Sequence, residues 1–358
     1  MTRQKKKEEN FLVVRLSKKI LITGGAGFIG SNLADFFLRQ GNEVTVFDNL
    51  MRNGVEKNVK WLQDTHKKGL NIVKQDIRNY DVLKKSCKDI DTIFHTAAQT
   101  AVTTSVRNPR EDFEINALGT FNVLDAARNS NTNPTIIYTS TNKVYGNNVN
   151  DISLVEKETR YEFDDNNFKN GVPEKFPTDA DEHTPYGCSK YAGDIYMRDF
   201  HDIFGLNTVT FRMSCIYGLH QYGNEDQGWV AYFTISSVLN KPLMLYGNGK
   251  QVRDVLFIDD LVNAFVLAND NINKTKGKAY NIGGGPNNTI SLLELLSLLK
   301  KFGLNPNYSF GDWRPADQKV YISDIRKAME FGWKPRISPS EGINILFNWI
   351  KDNKNLFV

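Results

Sequence analysis

Residues 19–30 read Lys19-Ile-Leu-Ile-Thr-Gly-Gly-Ala-Gly-Phe-Ile-Gly30. The run Lys19–Thr23 predicts a short strand, and a helical pattern runs from Phe28 to about Gln40, so glycines fill the turn between them. That context gives each glycine a task. Gly24 allows a tight turn, Gly27 lets backbone approach a pyrophosphate, and Gly30 lets the helix close onto the strand. The unpaired amides of the helix N-terminus then face the anion. The turn, with Phe28 and Ile29 in its wall, is expected to hold a dinucleotide.

Such a site also needs an acceptor for the adenosine ribose where the second strand ends. Glu43–Phe47 predicts that strand, and Asp48, followed by Asn49, ends it. A carboxylate there repels a 2′-phosphate, so NAD is expected; Arg52 in the same loop keeps NADP open as the alternative. Further runs at Asn71–Gln75, Thr92–His95 and Thr135–Thr139 alternate with helical stretches, the longest from Phe113 to Arg128. This alternation predicts an α/β fold, a doubly wound parallel sheet of Rossmann type. Beyond Arg212 the pattern is mixed. Residues 18–212 are expected to form mainly the cofactor domain, with an acidic insertion at 147–184. Residues 213–358 are expected to form mainly a smaller mixed α/β substrate domain, with some segments returning to the first. Residues 1–17 read as a flexible basic extension. Helices are expected at Leu292–Phe302 and Ser323–Phe331, and Gly283-Gly-Gly285 is expected to be a turn, with a second phosphate site as the alternative.

Composition narrows the function classes. The 358 residues carry a net charge of +4, and much of the excess sits in the first nineteen. The near-neutral remainder argues against a nucleic-acid-binding face. No apolar run is long enough to span a bilayer. Cys87, Cys188 and Cys215 show no metal-ligand spacing, so no metal is expected, and their sparse, odd count suits a reducing compartment, the cytoplasm. Cys188 and Cys215 are read as small buried or pocket-lining residues, and His95 as a hydrogen-bonded strand-end residue.

The reactive chemistry falls on Tyr186-Gly-Cys-Ser-Lys190 and Thr139-Ser-Thr-Asn-Lys-Val-Tyr-Gly146. Residues at i and i+4 share a helix face. Free tyrosine titrates near 10, whereas a catalytic base should titrate closer to 7. A neighbouring ammonium and a positively charged nicotinamide ring would lower it. The hydroxyls of Thr139–Thr141 end a strand at the sheet edge where ligands bind in open α/β folds.

With Thr23–Gly30, Asp48, His95-Thr-Ala-Ala98, Thr139–Gly146 and the Tyr186/Lys190 pair in this order, the sequence from Lys19 onward resembles the extended short-chain dehydrogenase/reductase family. The resemblance implies that Thr141, Tyr186 and Lys190 are the catalytic set. Thr141 would hold the reacting sugar oxygen, Tyr186 would move its proton, and Lys190 would lower the Tyr186 pKa and hold the nicotinamide ribose. It implies that Asp76 and Ile77 contact the adenine and that Ala97, Gln99 and Asn116 lie near a tightly bound, recycled NAD. Asn142 and Gln227 would line the substrate pocket. Arg253 and Arg314 would meet the pyrophosphate of a nucleotide-sugar, a task for which arginine's planar fork is suited.

Dehydratases of this family carry an Asp-Glu pair after the catalytic threonine. Here Asn142 and Lys143 stand instead, which argues against dehydration and for an epimerase. The strings Phe47-Asp-Asn-Leu50, Asp112-Phe-Glu-Ile-Asn116, Glu158-Thr-Arg-Tyr161, Asp226-Gln-Gly-Trp-Val230 and Gly247–Asp254 resemble the branch that inverts C2 of CDP-linked hexoses for polysaccharide biosynthesis. The alternative is a sibling 4-epimerase acting on a UDP-, GDP- or dTDP-sugar. The resemblance also implies a homodimer or higher oligomer through Phe113–Arg128 and Ser189–Phe204. The acidic stretch before Tyr186 is read as a lid or a solvated insertion.

Overall fold

A computed structural model describes residues 17–314 and 317–357. The predicted basic extension therefore lies outside the described residues except for Ser17. In chain order the first strands are β1 (Lys19–Thr23), β2 (Glu43–Asp48), β3 (Leu70–Lys74), β4 (Thr92–His95) and β5 (Thr135–Thr141). They join Asn207–Met213 and Lys278–Ile282 in a seven-stranded sheet. Its order is Lys278–Ile282, Asn207–Met213, β5, β4, β1, β2, β3, and every pairing is parallel. Helices cover both faces, so β5 is buried along its whole length. The strand order reverses between β1 and β4, and a crevice opens there at the carboxyl edge, where such sheets bind ligands.

Helix α1 (Phe28–Arg39) starts directly from Gly27, with no side-chain cap and no acidic residue in its first turn. Its first amides are left facing the crevice. A second, smaller layer sits over that edge. It contains the mixed sheet of Cys215–Tyr217, Val252–Phe257, Thr289–Ser291 and Val320–Tyr321, with helices Trp229–Val238 and Leu292–Lys301. Lys278–Ile282 leaves this layer to complete the central sheet.

Three expectations need correction. The helix from Phe113 to Arg128 is not one regular segment: Pro109–Phe113 is α, Glu114–Leu118 is a π-turn, and α-geometry resumes over Gly119–Arg128. A π-turn adds a residue to one turn of the ladder, which periodicity does not reveal. Ser323–Phe331 is helical only over Arg326–Met329, because Ser323 pairs with Val172 and the Asp324 amide donates to the Val172 carbonyl. The 147–184 stretch is also ordered locally. It holds a hairpin, Leu154–Glu156 with Tyr161–Phe163, and buries Val149, Ile152 and Val172 with Tyr145 and Tyr321.

Candidate active site

The glycine turn is shaped by what side chains would hit. A Cβ on Gly30 would sit 2.3 Å from the Gly24 carbonyl, and one on Gly24, at φ +69°, would sit 2.5 Å from the Ala97 amide. The Asp48 carboxylate is held by its neighbours' amides: Oδ2 accepts from Ala26 N at 3.1 Å and Oδ1 from Leu50 N at 2.9 Å. The turn and Asp48 open on a cleft of about 470 Å³ that is also lined by Phe28, Ile29, Asn49, Asp76, Ile77, Ala97, Gln99 and Gln227. A backbone cradle without side chains and a fixed ribose acceptor fit NAD. Asn116 stands one layer behind the wall. It is buried, accepts from Gln99 N at 2.9 Å and donates to the Gln99 carbonyl, Asp112 and Ser189.

Beyond the residues lining that cleft, β5 and the helix Pro185–Phe204 carry Thr141, Tyr186 and Lys190. Thr184 caps that helix by accepting from Gly187 N, and Pro185 fills its first position, which sets Tyr186 and Lys190 on one face. The helix lies close to the sheet because Gly193 has no side chain; a Cβ there would stand 2.6 Å from the Tyr138 hydroxyl. The Thr141 hydroxyl faces the Tyr186 phenol, a contact that lowers the phenol's pKa; the hydroxyl itself donates to Asn142 Oδ1 at 3.3 Å and accepts from Lys143 N at 3.2 Å. A residue not singled out in the sequence, Ser105, accepts from Tyr186 N at 3.1 Å. Asp112, also unassigned, accepts from Ser189 and Gln99 beneath the site. The only signal for Asp112 was its place in the string Asp112–Asn116 that carried the resemblance.

The electrostatics differ from the expectation for Lys190. Burial pushes the Tyr186 phenol up to about 12, opposed by the Thr141 contact and the charge of Arg52. Lys190 is buried, and burial drives it down to about 7 with Asp112 opposing. Its ammonium sits 4.3 Å from the Tyr138 ring centroid. In this state Arg52, rather than Lys190, is the cation that lowers Tyr186. His95 matches its prediction, bridging Thr23 at 2.7 Å and Thr120 at 2.9 Å, and burial takes it down to about 3. Cys215 is partly buried, but Cys188 is exposed, because it sits on the outer side of the helix that carries Tyr186.

The Lys190 shift gives a stability prediction. An unfolded lysine holds its proton up to its ordinary 10.5, whereas the folded one releases it from about 7. Between those values the unfolded chain binds more protons, so stability of the cofactor-free protein rises with pH across that window. Urea unfolding at several pH values should show that limb, and Lys190→Met should flatten it. An unchanged limb in the variant removes Lys190 as its source.

A second cleft adjoins the first. Arg253, Arg314, Gln227, Trp229, Tyr232 and Tyr246 line it. Arg253 donates to Asp317 at 2.7 Å, and Arg314 lies 4.1 Å over the Tyr246 ring. Both predicted arginines therefore share one cavity, and Gln227 lies on the border of both clefts. Asn142 donates to Gln318 at 3.2 Å, and burial lowers Lys143 to about 8 with Arg253 adding to the effect. Gly283-Gly-Gly285 is a turn around a carboxylate, not a phosphate site: the Gly285 amide donates to Asp254 Oδ2 at 3.1 Å, and Asp254 fills the space an anion would need.

The model of the NAD dependent epimerase/dehydratase family matches residues 20–283. CDP-paratose 2-epimerase of Salmonella typhi is 46% identical over 92% of this chain and 98% of its own length. Among solved structures, the UDP-glucose 4-epimerase of Thermotoga maritima with UDP-glucose superposes with a TM-score of 0.79 at 29% identity, covering 94% of this chain and 99% of that one. The UDP-glucose 4-epimerase of Thermus thermophilus in complex with NAD gives 0.75 at 28% identity, covering 94% and 99%. With the glycine turn, the fixed Asp48 carboxylate and the placing of Thr141, Tyr186 and Lys190 in keeping with a match over most of its length, the chain belongs to the NAD dependent epimerase/dehydratase family.

Proposed function

We propose that the protein inverts C2 of a CDP-linked hexose by transient oxidation to a keto sugar and re-reduction. The observation that carries this is the meeting of Thr141 and Tyr186 beside buried Lys190, in a chain 46% identical to a CDP-paratose 2-epimerase. Bound NAD supplies a hydride acceptor and donor. Thr141 holds the C2 oxygen. Tyr186 takes the proton of that hydroxyl as the ketone forms and returns it to the same oxygen after the sugar has turned. Lys190 holds the ribose of the cofactor. Arg253 and Arg314 bind the pyrophosphate, releasing Asp317 and the Glu225 carbonyl as they do so.

Asn142 supports epimerisation over dehydration, since an amide cannot serve as the proton-donating acid that elimination needs. Incubation with CDP-, UDP-, GDP- and dTDP-hexoses, followed by NMR, tests the reading. Inversion at C2 of the CDP-sugar is expected; inversion confined to C4, on any base, overturns it.

An apolar face supports a homodimer. Phe113, Leu118, Phe121, Ile195, Tyr196, Ile203 and Phe204 are exposed on the Pro109–Arg128 segment and the helix Pro185–Phe204, which pack side by side. Apolar exposure of this kind marks an interface. Sedimentation should give twice the chain mass; a monomer at micromolar concentration removes this part of the proposal. Among the described residues no helix is long and apolar enough to cross a membrane. A cytoplasmic place agrees with three unpaired cysteines.

A further inference from the structure

In the sheet β1 lies between β4 and β2, and its exit carries the glycine turn. The loops that follow β2 and β4 therefore flank that turn on either side. Arg52 belongs to the β2 side, yet its Nη1 donates to Thr100 Oγ1 at 3.1 Å, on the β4 side. Both residues line the NAD cleft, and among the described residues lining it Arg52 is the sole lysine or arginine. Asp48, Asp76 and Asp226 line it too. A pyrophosphate entering this cleft meets carboxylates, amides and one guanidinium.

The loop that presents Arg52 is tightly specified. Leu50 is held at φ +58°, a left-handed conformation rare for leucine, by the bond from its amide to Asp48. Met51 N donates to Asn49 Oδ1 at 3.1 Å, and Asn49 donates to Asp76 at 2.9 Å. Gly54, at φ +89°, closes the loop against the Tyr222 ring. The side chain is exposed at the rim, but its backbone is not free to wander. Its guanidinium is tied to Thr100 on the β4 side, while its charge still reaches Tyr186 and Asp48.

We propose that Arg52 is a strap over the cofactor: anchored on Thr100, its guanidinium covers the pyrophosphate of bound NAD and keeps the dinucleotide from leaving between turnovers. A guanidinium has five donors, and Thr100 uses one. The remainder can meet phosphate oxygens as charge-assisted bonds. The same charge lowers the proton affinity of Tyr186, so a closed strap also favours the base. The inference rests on the proposed recycling of NAD.

The test measures cofactor, not sugar. NAD released from purified protein on denaturation is quantified, and the dissociation rate of an etheno-adenine NAD analogue is followed by fluorescence, for wild type, Arg52→Ala, Arg52→Lys and Thr100→Val. Circular dichroism confirms that each variant is folded. Arg52→Ala is expected to release the analogue about tenfold faster or more, as loss of a charge-assisted phosphate contact requires, with Thr100→Val and Arg52→Lys in between. Wild-type retention in Arg52→Ala overturns the strap alone. So does a wild type that holds NADP as tightly as NAD and loses only NADP on Arg52→Ala. A wild type that binds neither dinucleotide overturns the cofactor assignment with it, so the two failures are distinguishable.

Discussion

Tyr186→Phe is expected to lower kcat by roughly 10²–10⁴-fold, the range that a positioned general base supplies, while bound NAD is unchanged. The substitution removes one oxygen and keeps the ring, so the half-buried site stays filled. Thr141 loses its partner, yet it still receives the Lys143 amide at 3.2 Å, which keeps its hydroxyl in place. KM should therefore hold while kcat falls, the pattern of an interaction made in the transition state. Turnover by NMR and NAD content measured on the same preparation check the two halves. Near-wild-type turnover would remove Tyr186 from the proton path. Loss of NAD along with activity would make it a binding residue instead.

Asp194→Ala is expected to cost about 3–5 kcal/mol of stability, the usual range for breaking a buried ion pair from one side. Asp194 is fully buried and accepts from Arg212 Nε at 2.7 Å and Nη2 at 3.2 Å, while Ser140 Oγ donates to it at 3.4 Å. Arginine keeps its proton at any ordinary pH, so the cation left behind cannot escape by neutralising. Three elements meet in this carboxylate: Ser140 is the next-to-last residue of β5, Asp194 belongs to the helix of Tyr186, and Arg212 lies on the next strand. Removing it leaves a buried guanidinium without its counter-charge and loosens the spacing of Thr141 from Tyr186. Urea unfolding measures the first effect and kcat the second. The double variant Asp194→Ala with Arg212→Met should recover part of the lost stability, because no orphan charge remains. A single variant as stable as wild type would mean that water reaches the site and solvates Arg212.

Much of this was legible in the sequence wherever a local rule acts alone. Strand period, glycine turn and Asp48 give β1, α1 and β2 almost to the residue, because each follows from backbone sterics within a short window. The pairing of Thr141 with Tyr186 required the family resemblance, since the 44 residues 142–185, with an unrelated hairpin and turns, separate them. What stayed hidden depends on tertiary burial. The depressed Lys190 arises from the packing of its helix on Tyr138, which no i, i+4 spacing reports. The Asp254 carboxylate inside Gly283–Gly285 was equally invisible, because nothing local tells a glycine turn that wraps a phosphate from one that wraps a side chain. The π-turn at Glu114–Leu118 changes hydrogen-bond register without changing the apolar pattern.

The strand Lys278–Ile282 bears on how the chain is made. It covers the edge of Asn207–Met213, yet a ribosome delivers it about 65 residues after that strand is complete. At roughly 5–20 residues per second, the nascent sheet displays an uncovered row of backbone donors and acceptors for several seconds. An open edge of that kind recruits other strands. Only part of the second layer is made in that interval, because the partners of the Arg253 strand, Thr289–Ser291 and Val320–Tyr321, come later still. Chains paused after Asn207–Met213 has emerged from the ribosome and before Lys278–Ile282 has emerged should therefore be the ones that aggregate or engage chaperones.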